Sequence, residues 1–331
     1  MRVAVLGADG AVGAAVVQAL LDDPRHRVDD VVGLDRRLPL DPQPGVDWRE
    51  LGDTADDPTG DLAGYLHGVD AVVNVLSPAP RGVPRQAAPA VPQAEDVLLG
   101  HVLDEVAAAG VRHLVQGSTF AVYSPAGEGH DPVDESWPTD GVADVPLVRR
   151  AVAVERTLDE FSAAHPVIRV VRLRSGLVLG PRALAAFLRR LGPLAAYYRA
   201  PGRFPVLPGI EGALPVVHHD DLAAAVCAAV TGSATGAFNI AMDAPLDLRH
   251  AASALGARPL AVPSELVRLG TEMAGAILAV TRRDGDRTPG AWLAIARHAP
   301  RLATWRARQE LGWFPVHPLD DALRSTIAGR P

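Results

Sequence analysis

The chain has 331 residues, of which 48% are hydrophobic and 21% charged, with a formal net charge of −7. A chain of this length and composition can bury the core of one large or two modest globular domains. The negative charge gives no reason to expect nucleic acid or an anionic membrane as a partner, and the single cysteine, Cys227, excludes an internal disulfide.

The hydropathy pattern predicts a cytoplasmic protein. No apolar run approaches the roughly 18 residues that a membrane-spanning helix needs. The chain also starts directly with a strand-like run, Arg2–Leu6, which leaves no space for a signal peptide. Cys227 lies in an apolar run at 222–230 and is expected to be a small core residue.

The first residues of the chain predict a strand, a glycine-rich turn and a helix. Arg2–Leu6 is typical of a strand, and residues 14–21 carry small and aliphatic side chains at helical spacing. Between them lies the pattern Gly7-x-x-Gly10-x-x-Gly13. Its glycines permit a tight turn, a close approach of the backbone to a pyrophosphate, and packing of the helix on the strand. The diphosphate would lie at the N-terminus of the helix.

An acidic residue follows at the spacing of a dinucleotide site. A second strand, predicted at 30–34, ends at Asp35, which lies 22 residues beyond Gly13, where a carboxylate would bind a ribose hydroxyl. Asp35 favours the free 2′-hydroxyl of NAD, whereas Arg36 and Arg37 could bind the 2′-phosphate of NADP. A reductive role would favour NADPH slightly, with NAD as the alternative. A glycine triplet without this context would be compatible with an ordinary tight turn.

Strands and helices continue to alternate as far as residue 178. Further strands are predicted at 46–51, 70–77, 111–116 and 167–173, and helices at 62–67, 94–109 and 146–164. This alternation predicts a parallel, doubly wound α/β sheet whose ligands bind at the carboxyl ends of the strands. We therefore expect a dinucleotide-binding domain over residues 1–178.

Beyond residue 179 the alternation stops. A helix is predicted at 183–191, followed by a Gly- and Pro-rich segment at 192–215 that contains Tyr197 and Tyr198. A loop of that length in a compact domain is usually functional or mobile. We expect it to form a lid or a wall of the substrate site, with an ordinary surface excursion as the alternative.

Two later elements complete the prediction for the second half of the chain. The run 237–240 predicts one more strand that returns to the sheet, and 264–280 predicts an amphipathic helix. Residues 179–331 are therefore expected to form a smaller, substrate-binding region, apart from that one strand.

Five motifs occur in order along nearly the whole chain. They are Gly7-x-x-Gly10-x-x-Gly13, Ser118-Thr119 with Val122-Tyr123, Leu173-Arg174 with Gly180-Pro181, residues 217–221 (Val-His-His-Asp-Asp) and residues 311–315 (Leu-Gly-Trp-Phe-Pro). In this order they make the chain resemble the extended short-chain dehydrogenases/reductases, also called the NAD-dependent epimerase/dehydratase family. The resemblance implies a Rossmann-type domain, a smaller C-terminal substrate domain, and a nicotinamide cofactor that lies open toward the cleft between them.

The resemblance also implies which residues contact the ligands. The implied cofactor contacts are Gly7, Asp9, Gly10, Ala11, Val12 and Gly13 in the turn, Asp35, Arg36 and Arg37 after the second strand, Asp53 at the adenine, Val75, Leu76 and Ser77 along the ribose and nicotinamide, and Ser175 after the sixth strand. The expected substrate contacts are Tyr123, Tyr197 and Tyr198.

The catalytic residues depart from the pattern of the family. Its members normally use a Tyr and a Lys four residues later, assisted by a Ser or Thr and often an Asn. Alignment on Glu155 places Leu147 at the Tyr position and Ala151 at the Lys position, and Val97 takes the Asn position. All 32 basic side chains are Arg, so no other alignment restores the Tyr/Lys pair. Of the usual groups, only a hydroxyl remains, that of Thr119.

This departure predicts a reductase that does not use the Tyr/Lys dyad. A ketone beside a phenol or enol carries its own acidic donor, and the chain resembles the tyrosine-lacking ketoreductases of this family that act on aromatic polyketides. Thr119, with Ser118 beside it, is the first candidate for a donor to the developing alkoxide. The alternative is that both hydroxyls only satisfy backbone groups at the end of a strand.

Two other functions stay open at this point. One is a non-catalytic NAD(P)-binding sensor or scaffold, because loss of the dyad is also what relaxed selection would leave. The weaker one is a sugar-nucleotide epimerase or dehydratase, which would use the missing Tyr as a base. Helices 94–109 and 146–164 would allow a homodimer.

The histidine-containing motif predicts a structural role. His218 and His219 could titrate near neutral pH, but the resemblance implies that this stretch anchors the substrate domain. Asp220 and Asp221 are expected to cap the following helix. No metal site is predicted, because the adjacent histidines lack the spacing of metal ligands.

Overall fold

The computed structural model describes residues 1–51, 61–76, 91–127, 130–143, 145–183, 206–209, 213–247, 258–261 and 289–328. Its strands are β1 (Arg2–Leu6), β2 (Asp30–Asp35), β3 (Val46–Glu50), β4 (Ala71–Asn74), β5 (His113–Thr119), β6 (Arg169–Ser175), β7 (Leu177–Leu179), β8 (Val206–Gly209), β9 (Ala213–Leu214), β10 (Val216–His218), β11 (Gly236–Ile240), β12 (Leu246–Asp247) and β13 (Arg258–Ala261). Its helices are α1 (Gly13–Leu21), α2 (Leu62–Leu66), α3 (Val91–Ala108), α4 (Pro146–Ala164), α5 (His219–Thr231), α6 (Pro289–His298) and α7 (Leu319–Ala328).

Seven parallel strands form the main sheet, in the order β11-β6-β5-β4-β1-β2-β3. The strand order reverses between β1 and β4, which is the point where a doubly wound sheet binds its ligand. This confirms the predicted Rossmann-type α/β fold. The predicted returning strand is also confirmed, since β11 pairs in parallel with β6 at the edge of the sheet.

The sheet has a hydrophobic core on each face. Successive side chains of a strand point to opposite faces, and accordingly Val3 and Val5 pack in a cluster with residues of α1 and α5, whereas Ala4 and Leu6 pack in a second cluster with residues of α3 and α4. These four side chains of β1 are fully buried. Helices on both faces explain why the central strands are apolar throughout.

Several strands begin or end one to three residues away from their predicted bounds, and two of these differences affect the site. The fourth strand was expected to reach residue 77, but β4 ends at Asn74, because beyond it the chain passes directly over the glycine-rich turn. The fifth strand was expected to end at residue 116, but β5 continues to Thr119, whose register partner in β6 is Ser175. The two candidate hydroxyls therefore lie within the end of β5.

The described part of the second half contains elements that periodicity did not predict. β7 follows β6 after Gly176 and pairs in parallel with β10, and α7 packs beside this pair. The N–H of Gly180 donates to Oγ1 of Thr326 in α7 at 2.7 Å. The proposed lid lies mostly outside the described residues, as do the helix predicted at 264–280 and all but the first residue of the one at 183–191. The division at residue 178 stays a prediction.

None of the helices in the described ranges has the length and apolar character needed to cross a bilayer.

Candidate functional site

The glycine-rich turn can be built only without side chains at two of its three glycines. Gly7 has φ +83°, and a Cβ placed on it would lie 2.7 Å from the Cα of Leu76. A Cβ on Gly13 would overlap the carbonyl oxygen of Gly7. The N–H of Gly10 donates to that same carbonyl at 2.9 Å, which closes the turn. Glycine at these positions therefore allows the close approach of backbone segments at the carboxyl end of β1 that a diphosphate-binding turn requires.

The N-terminus of α1 fits an anionic ligand. The N-cap residue, Val12, makes no side-chain hydrogen bond to the helix, and the first turn contains no acidic residue. The first N–H groups of a helix have no partner within it, so an end without a side-chain cap favours an external anion. Ala11 and Val12 lie in this turn between Gly10 and Gly13, and their contact with a cofactor stays a prediction.

Asp35 is held beside the turn by two backbone N–H groups. Its Oδ2 accepts from the N–H of Asp9 at 3.1 Å, and its Oδ1 accepts from the N–H of Arg36 at 2.8 Å. The carboxylate thus lies at the end of β2, next to the glycine-rich turn, and keeps acceptor capacity for ribose hydroxyls. Arg36 is half-buried and Arg37 exposed immediately after it.

The segment after β4 forms the other border of the turn. The N–H of Val75 donates to the carbonyl of Leu6 at 3.0 Å, and the N–H of Leu76 donates to Oδ1 of Asn74 at 3.2 Å. Val75 and Leu76 therefore lie where the sequence predicts contacts along the cofactor. Four other predicted contacts lie outside the described residues, namely Asp53, Ser77, Tyr197 and Tyr198.

The two candidate hydroxyls differ in their partners. The hydroxyl of Ser118 donates to Oε1 of Glu155 at 2.6 Å, so its proton is already engaged with a carboxylate. Oγ1 of Thr119 accepts from the N–H of Ala121 at 3.3 Å, and no acceptor for its own proton is found among the described residues. Thr119 is therefore the better placed donor. Ser175, its register partner in β6, donates to the carbonyl of Ser118 at 3.3 Å.

Glu155 is the centre of a buried ion cluster behind these hydroxyls. Its carboxylate is 1% exposed, and Oε2 lies 2.9 Å from Nη2 of Arg174 and 3.0 Å from Nη1 of Arg172. Burial alone would raise the pKa of Glu155, but the hydrogen bonds and charge of Arg174, with Ser118 and Arg172, lower it below its ordinary value. Glu155 is therefore ionised and offers no proton at neutral pH.

Tyr123 is part of the same buried network. Its hydroxyl donates to Oδ1 of Asn239 at 2.6 Å and accepts from Nη1 of Arg174 at 3.1 Å. Burial raises the pKa of Tyr123 to about 12, although Arg174 opposes the shift. The ring borders a small apolar crevice with Val148 and Ile295. Any contact with a substrate would therefore be made by the ring, because the hydroxyl is engaged within the protein.

The positions aligned with the Tyr/Lys dyad are apolar in the structure. Leu147 and Ala151 are half-buried on α4 and pack in a cluster that includes Phe120, directly after Thr119. They exchange no proton. The side chain of Val97 lies outside the described residues, although its backbone belongs to α3.

One residue near the turn was not predicted. Nη1 of Arg182 lies 3.3 Å from the carbonyl oxygen and 3.4 Å from Oδ1 of Asp9, so the segment after β7 reaches the glycine-rich turn. Its position directly after the Gly180-Pro181 motif is the signal that could have identified it.

The expected helix caps are corrected by the structure. The side chain of His218, not Asp220 or Asp221, caps α5, because its Nδ1 accepts from the N–H of Asp220 at 3.4 Å. Asp221 is buried and instead accepts from the N–H groups of Val316 and His317, both at 3.2 Å. It therefore anchors the C-terminal segment.

The parallel sheet, the turn and Asp35 together define a dinucleotide-binding protein of the Rossmann class. The profile of the NAD dependent epimerase/dehydratase family matches residues 3–241. The chain belongs to this family, and it is an NAD-dependent enzyme of the reductase, epimerase or dehydratase type.

Similarity to individual proteins extends over the whole chain. A Streptomyces protein described as 3-diazoavenalumate denitrifying reductase is 30% identical, covering 96% of this chain and 97% of its own. The UDP-glucose 4-epimerase of Thermus thermophilus, solved with NAD, has 23% identity and a TM-score of 0.68, covering 99% of this chain and 98% of its own. DesIV, a dTDP-glucose 4,6-dehydratase of Streptomyces venezuelae, has 20% identity and a TM-score of 0.70, covering 99% and 96%. The two solved structures share the fold.

Proposed function

We propose that the chain is a nicotinamide-dependent reductase that transfers a hydride to an aromatic small molecule without a Tyr/Lys dyad. The observation that carries this proposal is the combination of an intact dinucleotide site with Leu147 and Ala151 at the dyad positions. Thr119 directly precedes Phe120, which packs in the same cluster as Leu147 and Ala151, and its hydroxyl then has a proton to donate.

Each part of the site has a distinct task in this proposal. When bound, the nicotinamide supplies the hydride. The N-terminus of α1 binds the diphosphate, Asp35 binds ribose hydroxyls, and Val75 and Leu76 border the cofactor beyond Gly7. Thr119 donates a hydrogen bond to the oxygen on which charge develops, and a preorganised donor of this kind is worth about 3–4 kcal/mol of transition-state stabilisation.

The first proposed acceptor is a large aromatic ketone of the polyketide type. Hydride addition to its carbonyl carbon gives an alkoxide that must take up a proton. Neither Glu155, which is ionised, nor Tyr123, with its buried hydroxyl and raised pKa, is suited to supply it. A phenol or enol beside the carbonyl would supply this proton from the substrate itself, in accordance with the missing dyad.

A second acceptor is favoured by the Streptomyces relative, whose name states the reduction of a diazo compound with loss of nitrogen. In an aryl diazonium ion, one hydride forms a C–H bond while the C–N bond breaks and N₂ leaves with the bonding electron pair. The ring carbon is reduced by two electrons, which a bound nicotinamide would supply with the hydride. Because no alkoxide forms, this reaction requires no protein acid, and the apolar dyad positions are compatible with it.

The coenzyme preference stays a prediction. The name of the family supports NAD, and the carboxylate of Asp35 would repel a 2′-phosphate at short range. Arg36 and Arg37, which support the slight preference for NADPH, follow directly after it.

A labelled-coenzyme assay tests the proposal. The purified chain is incubated with NADH or NADPH deuterated at C4, in separate reactions with hydroxylated polycyclic ketones, an aryl diazonium carboxylate and a UDP-sugar. We expect deuterium in the alcohol or in the denitrified arene, with stoichiometric oxidation of the coenzyme.

Three results distinguish the alternatives. Deuterium at the carbinol carbon identifies the ketone, and deuterium on the arene together with N₂ release identifies the diazo compound. Conversion of the UDP-sugar without net coenzyme oxidation would overturn the reductase proposal in favour of an epimerase. Tight coenzyme binding with no turnover of any acceptor would favour the sensor or scaffold.

A further inference from the structure

Three imidazoles and two carboxylates gather at the start of α5, next to the C-terminal segment. His218, His219, Asp220 and Asp221 are consecutive, and His317 joins them from the segment before α7. The rings of His218 and His317 stack with centroids 4.0 Å apart, and those of His218 and His219 meet edge to face at 4.3 Å. This histidine cluster is not used by the proposed reduction.

The nitrogens of the histidine cluster converge on one carboxylate. Nδ1 of His218 and Nε2 of His219 each lie 3.5 Å from an oxygen of Asp220, and Nε2 of His317 lies 3.9 Å away. The ligand atoms that His218, His219 and Asp220 offer are all within 4.8 Å of one another. Around a tetrahedral ion with bonds of 2.0–2.1 Å, neighbouring ligand atoms are about 3.4 Å apart. The two shorter separations are close to that value.

The third imidazole, that of His317, is held by the second carboxylate of the cluster. Nδ1 of His317 lies 2.8 Å from Oδ1 of Asp221, which is 1% exposed, so Nδ1–H donates to this carboxylate and the lone pair of Nε2 faces Asp220. A histidine whose second nitrogen donates to a buried carboxylate is the usual arrangement of a metal ligand, because it fixes the tautomer and raises the basicity of the ligating nitrogen.

The remaining chemistry of the cluster is compatible with a cation. The ring of His218 is buried and contacts the rings of both other histidines, so the three imidazoles lie in one place. The positive end of the α5 dipole opposes a cation, but Asp220 and Asp221 in the first turn offset it.

We infer that His218, His219 and Asp220 bind a divalent transition metal such as zinc, with Nδ1 of His218 exchanging its 3.4 Å hydrogen bond from the N–H of Asp220 for the ion. Nε2 of His317, 3.9 Å from Asp220, would move closer to become the fourth ligand. The ion would join the start of α5 to the C-terminal segment that carries His317 and leads into α7. Since zinc has no redox chemistry and the ligand set is closed, its role is structural. The sequence indicated no metal site, because His317 is brought to the histidine pair only by the docking of the C-terminal segment.

Cobalt titration tests this inference without reference to any catalytic activity. The chain is produced without a polyhistidine tag, treated with a chelator, desalted and titrated with Co²⁺. We expect one cobalt per chain with the intense visible d–d bands of a tetrahedral site, displaced by Zn²⁺. Zinc at about 100 times its Kd should raise the Tm of the chelated protein by about 5 °C.

Asp220→Asn provides the decisive variant, because Asp220 is exposed and its loss leaves the buried Asp221 in place. Loss of a supporting residue alone costs 10–100-fold in metal affinity, so loss of this ligand should cost at least about 100-fold. Asp140→Asn, at another exposed carboxylate, is the matched control and should bind cobalt like the native chain. Absence of tetrahedral bands in the native chain, or equal affinity in both variants, would overturn the inference.

Discussion

Neighbouring hydroxyl groups at the end of β5 have different tasks because their partners differ. Ser118 donates to the buried carboxylate of Glu155, which ties β5 to α4. Among the residues that the structure describes, Thr119 accepts from the N–H of Ala121 and has no acceptor for its own proton, so that proton can be donated to a ligand. Sequence inspection could place both residues at a strand end, but it could not assign their protons.

Thr119→Val keeps the shape of the side chain and removes its hydroxyl. With a ketone acceptor we expect kcat to fall about 100-fold, the usual effect of losing one oxyanion donor, with the Kd for the coenzyme unchanged. Steady-state kinetics and coenzyme fluorescence measure the two quantities.

Ser118→Ala is the matched control for this prediction. It should lower the free energy of unfolding by about 1–2 kcal/mol, because Glu155 loses a hydrogen bond, and change kcat only a few-fold. An unchanged kcat in Thr119→Val, or an equal loss in both variants, would show that Thr119 is not the donor.

Tyr123 is expected to make the free energy of unfolding decrease as the pH rises into the alkaline range. Its pKa is raised to about 12 in the folded state, against about 10 in an unfolded chain. The protonated folded form is therefore favoured below pH 10, and this contribution is lost as the pH rises from about 10 to about 12. Tyr123→Phe should be less stable than the native chain at pH 9, and the difference should shrink by pH 11. Urea unfolding measures it, and a pH-independent difference would contradict the prediction.

We expect Asp35 to influence the preference between the two coenzymes. Asp35→Ala removes the carboxylate that would bind the ribose hydroxyls of NADH and repel the 2′-phosphate of NADPH. The Kd for NADH should therefore rise at least about tenfold, whereas the Kd for NADPH should rise less or fall. Asp41→Ala, a few residues further along the chain, is the control and should change neither value. If both coenzymes lose affinity equally, Asp35 acts only by holding the N–H of Asp9.

At the scale of elements, the first strand, turn and helix form the part of the site that depends least on the rest of the chain. The turn closes through the hydrogen bond from Gly10 to Gly7, and α1 begins at Gly13 with no side-chain cap. These features follow from local spacing, so the sequence predicts them well. The end of β5 depends on pairing with β6, and its predicted end was wrong for that reason.

Gly13→Ala should abolish coenzyme binding and destabilise the fold, because its Cβ would overlap the carbonyl oxygen of Gly7. Gly100→Ala is the matched control, since Gly100 lies within α3 and a Cβ there meets no atom within 4 Å. It should leave binding unchanged and raise the free energy of unfolding by about 0.5–1 kcal/mol. Thermal unfolding and coenzyme titration measure both effects, and equal behaviour of the two variants would refute the close packing of the turn.

At the scale of the whole molecule, the C-terminal segment packs against α5, which covers one face of the main sheet. Nε1 of the buried Trp313 donates to the carbonyl of Asp221 at 2.7 Å, and the carboxylate of Asp221 holds His317. The Leu-Gly-Trp-Phe-Pro motif identified in the sequence therefore anchors α5 to the end of the chain. The predicted homodimer and the lid at 192–215 stay predictions.

The sequence by itself determined the sheet class, the glycine-rich turn, the position of Asp35 and the absence of lysine, because each depends on short-range spacing or on residue type. Only the tertiary structure decided which groups form hydrogen bonds or ion pairs with one another. Glu155 meets Ser118 and Arg174, and Asp221 meets His317, through contacts between segments far apart in the chain. Such contacts depend on the packing of helices against strands, which the periodicity of a single segment does not specify.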